Sequence, residues 1–267
     1  MVQERIGAAG SAWAAMTYRE IQSIGGRDGS ILVVPVGSIE QHGHHLPVAT
    51  DTILVDAIAD LGTDRVADSV PILKTPPFWS GFSPHHMAFG GTITLDFSVM
   101  LQALGNIADS ALENDFDALL LLNGHGGNKA LISAAVSVIG DTHEDVQVLG
   151  LTYFELASQF IDEIRESDIG GMSHGGEFET SLMLSVHPDF VDEDALDAPA
   201  LDEPYELGTQ DLLEGGPLAV YRGFEEYSAT GAIGAPELAS AEKGDAIYQL
   251  LGDEMESLLL DIHENVT

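Results

Sequence analysis

Two short stretches of this chain are apolar at every position, and they constrain the fold more than any other feature. They are residues 31–36, ILVVPV, and residues 118–122, ALLLL. A strand with one wet face alternates apolar and polar residues, whereas a strand buried on both faces is apolar throughout. Such strands need helices on both sides of the sheet, so the two stretches favour a three-layer α/β/α fold.

Helical and strand patterns continue along the chain. Apolar residues recur at helical spacing in 16–24, 52–61, 98–113, 130–139, 154–166, 180–186 and 240–263, and further strands are expected at 70–76 and 146–151. This alternation predicts a mostly parallel central sheet. No repeat, low-complexity tract or linker interrupts the pattern, so residues 1–267 are expected to form a single domain.

The charge balance is strongly acidic, with 9 Lys and Arg residues against 44 Asp and Glu residues and a net charge of −35. The acidic residues are scattered along the chain, which indicates a solvation device for a high-salt, halophilic cytoplasm. A polyanion of this kind repels nucleic acid and anionic membranes, so neither is expected as a partner.

The chain contains no cysteine, which excludes a thiol nucleophile and any cysteine-ligated zinc or iron–sulfur site. The N-terminal segment lacks the basic residues and long apolar core of a secretory signal. No apolar run reaches the length of about 18 residues that a membrane span needs. A cytoplasmic protein is therefore expected.

Histidines and carboxylates follow the first buried strand directly. Residues 37–51 read GSIEQHGHHLPVATD and contain Glu40, His42 and Asp51. Ligands of parallel α/β sheets bind at the carboxyl ends of the strands. Imidazole and carboxylate groups there suit zinc, manganese or iron(II), although a polar loop of hydrogen-bonded histidines would have the same composition.

Two further loops carry the same residue types. Residues 123–128, NGHGGN, place His125 after the second buried strand, without the ending of a phosphate loop or the GxGxxG spacing. Residues 173–181, SHGGEFETS, contain Glu177 and Glu179. Both carboxylates face a pocket only if the backbone is extended. If a helix begins at Glu177 they diverge by about 200°, and only one is a ligand.

The candidate ligands are too numerous for one tetrahedral ion and suit two. A single carboxylate, that of Asp51, can bridge ions about 3.5–4 Å apart, and water between them becomes a nucleophile at neutral pH. The reaction class is then metal-assisted hydrolysis. The predicted ligand set is Glu40, His42, Asp51, His125 and Glu177.

Together with the loop His86-x-x-Phe89-x-Gly91-Thr92, these loops resemble the creatininase family of metal-dependent amidohydrolases. The matching segments are 34–51, 86–92, 123–128 and 174–184, and the likeness extends over nearly the whole chain. The resemblance implies a three-layer α/β/α subunit, a homohexamer, and two divalent ions per subunit: zinc, manganese or, in some members, iron.

The resemblance also implies residue roles. Glu40, Asp51 and His125 would hold one ion, and His42 and Asp51 the other. His174 matches the histidine that contacts substrate and passes a proton to the leaving nitrogen, and Glu179 matches an acidic residue that orients nearby groups. The remaining expected substrate contacts are His86, Gly126 and Ser173.

Several positions depart from creatininase itself. A Glu that ligates its second ion corresponds to Gly127 here, and we expect Glu177 to replace that carboxylate. Two tryptophans of its pocket correspond to Gly170 and Phe154. Stacking on a flat ring is worth about 0.5–1.5 kcal/mol per aromatic contact, so the chain favours a creatininase-type amidohydrolase more firmly than creatinine as substrate.

The predicted activity is hydrolysis of a cyclic amide or another non-peptide C–N bond in a small molecule by a metal-bridged hydroxide, with creatinine to creatine as the namesake reaction. Alternatives within the family are a formamidopyrimidine-nucleotide deformylase of deazaflavin and riboflavin synthesis and a mycofactocin-precursor peptidase. Only Lys129 and Arg222 could meet a phosphate, which disfavours the nucleotide. Alternatives from other classes are an inactive metal-binding scaffold and a sugar- or nucleotide-binding α/β protein that uses 123–128 as an anion loop.

Overall fold

The structure is a computed structural model that describes residues 10–202 and 204–267. Its centre is a parallel sheet in the order β2–β1–β3–β4. Ile31 of β1 lies opposite Ala118 of β3, which in turn lies opposite Gln147 of β4. The strands are β1 (Ile31–Val36), β2 (Ile72–Lys74), β3 (Ala118–Asn123) and β4 (Gln147–Thr152).

Helices cover both faces of this sheet. Those packed on one face are α2 (Thr50–Val66), α5 (Glu177–Val186) and α6 (Ala241–Val266). Those packed on the other face are α1 (Tyr18–Gly25), α3 (Phe97–Leu112) and α4 (Lys129–Thr142). The predicted three-layer α/β/α fold with a parallel central sheet is therefore confirmed.

The two apolar stretches form the central strands, and their side chains alternate between two cores. Ile31 and Val33 belong to the core beneath α2, α5 and α6. Leu32 and Val34 belong to the core beneath α1, α3 and α4. Every residue of β1 and β3 is buried. Because each buried aliphatic side chain contributes about 1.5–3 kcal/mol, these strands anchor both layers.

The strand order creates a switch point between β1 and β3. From β1 the chain crosses to β2 on one side, and from β3 it crosses to β4 on the other. The connections diverge there, which opens a crevice at the carboxyl ends of the two central strands. The loops that follow β1 and β3 are the histidine-bearing loops of the sequence.

The helix expected at 154–166 is wrong. Short 3-10 segments take its place, at Tyr153–Gln159 and Ile161–Glu163. Phe160 has φ −137° and separates the two segments. Phe154, Ala157 and Ile161 are all buried, so apolar residues spaced by three or four are satisfied by 3-10 turns that fold down onto the core.

The described part of the acidic segment 190–216 contains short 3-10 turns and one β-bridge between Thr209 and Gly215, and one buried carboxylate attaches it to the fold. Asp211 accepts hydrogen bonds from the backbone N–H groups of Gly170, Leu213 and Glu214. Its Oδ2 also lies 2.9 Å from Nη1 of Arg165. The segment is thereby tied to the loop that leads to His174.

Among the described helices, none combines the length and apolarity needed to cross a bilayer.

Candidate metal centre

The candidate ligands meet in the crevice at the strand ends. Glu40 and His42 lie on the loop after β1, and Asp51 lies in the first turn of α2. His125 follows the end of β3 by two residues, and Glu179 lies in the first turn of α5. All five side chains are buried. Residues distant in sequence thus form one polar cluster inside an otherwise apolar fold.

A first group of donor atoms surrounds Nδ1 of His125. This nitrogen lies 3.1 Å from Oε1 of Glu40 and 3.3 Å from Oδ2 of Asp51. The other ring nitrogen, Nε2, lies 3.3 Å from the carbonyl oxygen of Phe82, which can only accept. Nε2 therefore carries the hydrogen, and Nδ1 is the nitrogen that can bind a cation.

A second group surrounds Nε2 of His42. It lies 3.2 Å from Oδ1 of Asp51 and 3.9 Å from Oε2 of Glu179. Nδ1 of His42 donates to the carbonyl oxygen of Glu40 at 3.1 Å, so Nε2 faces the carboxylates. Asp51 thus directs one oxygen to each group, which is the arrangement expected of a carboxylate that bridges two ions.

The donor atoms fit divalent cations. Nε2 of His42 and Oδ2 of Asp51 are buried and lack a hydrogen-bond partner in the described part of the chain. Native proteins seldom leave buried polar atoms unpaired, because each such atom costs about 1–3 kcal/mol. Imidazole nitrogens and carboxylate oxygens arranged in this way are donors that zinc, manganese and iron accept.

Electrostatics favour positive charge in the cluster. Burial lowers the pKa of His42, but the carboxylates of Asp51, Glu179 and Glu40 outweigh it and raise the pKa to about 9. The pKa of His125 is likewise raised well above its usual value, because Glu40 and Asp51 outweigh burial. Without a metal ion, the positive charge that the carboxylates favour is supplied by protons on the rings of His42 and His125.

Glu177 is not part of this cluster, contrary to the expectation for the fifth ligand. The helix α5 begins at Glu177, so the two glutamates diverge. Oε1 of Glu177 lies 2.6 Å from Nζ of Lys243, and its carboxylate accepts the N–H groups of Glu166 and Ser167. Burial opposes its ionisation, but these partners hold the pKa of Glu177 below its usual value. Glu179 joins His42 and Asp51 instead.

His174 lies beside the cluster with one nitrogen facing it. Its Nε2 is 2.5 Å from the carbonyl oxygen of Gln41 and must donate the hydrogen. Its Nδ1 therefore carries a lone pair and lies 3.7 Å from Oε1 of Glu40. Burial, reinforced by the positive charge of His42, holds the pKa of His174 well below its usual range. The ring is a neutral base at pH 7.

The other expected substrate contacts lie around this base. The His86 ring is 4.4 Å from the His174 ring, and Ser173 is buried with no partner found for its Oγ in the described residues. Gly126 is exposed, and a Cβ there would meet no atom within 4 Å. Phe154, expected at a pocket wall, lies in the core against Tyr153.

Sequence reasoning missed two aromatic rings of the site. Phe224 packs 4.1 Å from the His86 ring and 4.9 Å from the His174 ring, so it covers the cluster. His85 stacks on His125 with ring centroids 5.7 Å apart and belongs to a donor group with Glu40 and His125. His85 stands directly beside His86 in the sequence, which could have indicated it, whereas only its position in space reveals Phe224.

The loop glycine that departs from creatininase has a steric cause. A Cβ at Gly127 would lie 2.4 Å from Nε2 of His125 and 2.8 Å from Cε1 of His85. Both distances are shorter than van der Waals contact. A side chain at this position would force these rings and the Phe82 carbonyl oxygen, 2.8 Å away, to shift, and the second donor group takes its carboxylate from Glu179 on another segment instead.

Comparison with known proteins agrees with the geometry. A family model described as creatininase, creatinine amidohydrolase, matches residues 14–259. The chain belongs to the creatininase family. This confirms the resemblance drawn from the four motif segments, and the family match covers every residue of the cluster.

Individual relatives extend the family match to particular enzymes. The chain is 28% identical over 251 residues to a creatinine amidohydrolase of Pseudomonas putida, with 88% of this chain and 90% of the relative covered. It is 31% identical over 229 residues to a mycofactocin precursor peptide peptidase of Mycobacterium tuberculosis, with 84% and 82% covered. A solved structure described as creatininase Mn superposes with a TM-score of 0.79 at 26% identity, covering 95% and 98% of the two chains.

Proposed function

We propose that this protein is a metal-dependent amidohydrolase that cleaves a non-peptide C–N bond of a small amide. One observation carries the proposal: Asp51 shares its two oxygens between two buried donor groups that lie beside a neutral histidine. Family membership supports the same activity class, since the creatininase-family relative from Pseudomonas putida is a creatinine amidohydrolase.

Two divalent ions are proposed as cofactors. Glu40, Asp51 and His125 would hold one, and His42, Asp51 and Glu179 the other. When bound, such ions polarise an amide carbonyl and acidify water. Zinc and manganese both suit these ligands, and the matched creatininase structure is described with Mn.

The residues around the donor groups supply proton transfer. His174 presents the lone pair of Nδ1 to the cluster and can accept the proton of the attacking water there. The same nitrogen then returns that proton to the leaving nitrogen as the C–N bond breaks. Because the Nε2–H of His174 is held by the Gln41 carbonyl oxygen, the ring stays in the orientation that this exchange needs.

The cover over the site favours a compact substrate. Phe224 lies across His86 and His174, with ring centroids 4.1 Å and 4.9 Å away, and so supplies an aromatic face beside the donor groups. Lys129 lies 2.9 Å from the Glu155 carboxylate, a negative group that would oppose a phosphate there. A small, flat amide such as creatinine fits these features better than a nucleotide or an extended peptide.

The 31% identity to a mycofactocin precursor peptide peptidase supports a second candidate activity, which is cleavage of a peptide C–N bond. The proposal further includes a homohexameric assembly, a cytoplasmic location and adaptation to high salt. The excess of acidic residues supports the last of these.

The test combines metal analysis with a substrate panel. Protein purified in high salt is analysed by elemental mass spectrometry and assayed on creatinine, a formamide series and a short peptide amide. We expect close to two ions per chain and turnover of at least one small amide. Full metal content without turnover of any panel member would favour the inactive scaffold, and metal-independent turnover would refute the hydrolase.

A matched pair of variants checks the ligand assignment. His125→Ala removes a ligand of the first group and should abolish most metal binding together with activity. His143→Ala removes a histidine outside the cluster, one that pairs with Asp109, and should change neither. Wild-type metal content in His125→Ala would contradict the proposed centre.

A further inference from the structure

Gln41 contacts both histidines beside the cluster: its backbone carbonyl oxygen accepts the Nε2–H of His174, and its side-chain amide lies against His86. It is buried, and its Nε2 lies 2.8 Å from Nδ1 of His86. The same nitrogen donates to the carbonyl oxygen of Gly231 at 3.0 Å, while Oε1 accepts the N–H of Gly43 at 2.9 Å. Gln41 is thus fully hydrogen-bonded, although it is not a ligand of either donor group.

Two backbone groups of fixed polarity determine how the Gln41 amide is oriented. The carbonyl oxygen of Gly231 can only accept a hydrogen bond, and the N–H of Gly43 can only donate one. The amide nitrogen must therefore face Gly231 and His86, since exchanging nitrogen and oxygen would break both backbone contacts.

The amide orientation in turn sets the tautomer of His86. An amide nitrogen donates and does not accept, so Nδ1 of His86 must present its lone pair to Gln41. Neutral His86 then carries its hydrogen on Nε2. This excludes Nε2 as a metal ligand, because a protonated nitrogen has no lone pair to offer.

The hydrogen on His86 points into the site. Nε2 is buried, 3.2 Å from Oε1 of Glu40, and has no aligned hydrogen-bond partner in the described part of the chain. A buried N–H without a partner costs about 1–3 kcal/mol, so it needs an explanation. Donors aimed at the place where negative charge develops are the standard device for stabilising a tetrahedral intermediate.

We propose that the Nε2–H of His86 donates to the substrate carbonyl oxygen as it becomes an oxyanion, and that Gln41 is the positioning residue that keeps the hydrogen there. The inference rests on the proposed hydrolase function. It adds a donor supplied by the chain to the polarisation that the metal ions provide, and it gives Gln41 a role that acts through His86.

Neutron diffraction of the deuterated, metal-loaded protein tests the tautomer directly. We expect deuterium on Nε2 and none on Nδ1 of His86. In Gln41→Glu a carboxylate oxygen replaces the amide nitrogen, so Nδ1 should gain deuterium. Deuterium on Nδ1 in the wild type, or an unchanged His86 in Gln41→Glu, would overturn the assignment.

A double-mutant cycle tests the catalytic part with creatinine, or with the panel amide that the wild type turns over fastest. His86→Phe keeps a ring against Phe224 but removes the donor, and kcat should fall about 10²- to 10³-fold. Gln41→Met should lower kcat less, because some molecules retain the correct tautomer. The double variant should be no slower than His86→Phe, since Gln41 acts only through His86. Losses that multiply would overturn the positioning role.

Two controls distinguish the proposed role of His86 and Gln41 from loss of metal and from a general effect of added charge. Metal content should match the wild type in each variant of the cycle, and a fall in metal that tracks the fall in kcat would refute the proposed role. Gln22→Glu, on the exposed face of α1, adds the same charge as Gln41→Glu and should leave kcat unchanged. If the wild type hydrolyses no panel amide, the catalytic part falls with the proposed function, while the neutron result still decides the tautomer.

Discussion

Glu177 and Glu179 lie two positions apart on α5, and the same substitution should have opposite effects at the two sites. Glu179→Gln removes one of the two carboxylates of the second donor group. Loss of a group that only supports a ligand weakens metal binding about 10- to 100-fold, so loss of the ligand itself should cost at least about 100-fold. That factor corresponds to about 2.7 kcal/mol of binding free energy.

Glu177→Gln should instead destabilise the fold and spare the metal. The Glu177 carboxylate is fully buried and pairs with Lys243, whose side chain is 12% exposed. Breaking a buried pair costs about 3–5 kcal/mol. Lys243 keeps Glu166 at 2.9 Å, and Gln retains one acceptor oxygen, so a loss of about 1–3 kcal/mol is expected. For a chain of this size, each kcal/mol lowers Tm by about 2–4 °C.

Metal content by elemental mass spectrometry and Tm of the metal-free proteins distinguish the two outcomes. We expect Glu179→Gln to keep one ion after dialysis and to melt at the wild-type temperature. Glu177→Gln should keep both ions and melt several degrees lower. If Glu177→Gln lost an ion while Glu179→Gln kept both, the assignment of Glu179 to the second donor group would be refuted.

Four further outcomes are expected. Because the pKa of His42 is about 9 without metal, zinc binding at pH 7 should release its proton, and calorimetry in two buffers should show that release vanish as pH rises past about 9. The raised pKa also stabilises the metal-free fold below about pH 6.5, and this stabilisation should be lost by pH 10, as thermal melts would show. Phe224→Ala should raise KM about 10-fold for a flat cyclic amide and little for formamide, since about 0.5–1.5 kcal/mol of stacking and some apolar contact are lost. Lower ionic strength should lower Tm steadily, because −35 charges are then poorly screened; a Tm independent of salt would contradict the halophilic interpretation.

The sequence was informative wherever burial alone decides structure. Residues 31–36 and 118–122 have the uniform apolar pattern of central strands, and strand ends in a parallel sheet meet at one edge, so Glu40, His42 and His125 could be brought together without coordinates. The segment 154–166 was misassigned because apolar residues spaced by three or four satisfy a 3-10 segment as well as an α-helix. Local pattern does not tell the two apart.

The residue roles that the sequence did not predict depend on side-chain orientation and on contacts between residues far apart in the chain. The choice between Glu177 and Glu179 requires the first residue of α5, and one residue of uncertainty rotates a helical side chain by about 100°. The role of Gln41 depends on the Gly231 carbonyl oxygen, far away in the chain, and Phe224 reaches the histidines only through the path of an irregular loop. None of these relations leaves a periodic signal.

Asp211 determines which parts of segment 190–216 should unfold first when the salt concentration is lowered. Its bond to Arg165 is internal, and mobile ions screen buried pairs far less than they screen surface charges. Lowering the salt concentration therefore strengthens the repulsion between the exposed carboxylates of segment 190–216 without weakening the buried Asp211–Arg165 pair. Hydrogen exchange during desalting should begin in the parts of this segment farthest from Asp211, while the amides of Leu213 and Glu214 open last within it. The loop leading to His174 would thus stay folded longer than the acidic surface around it.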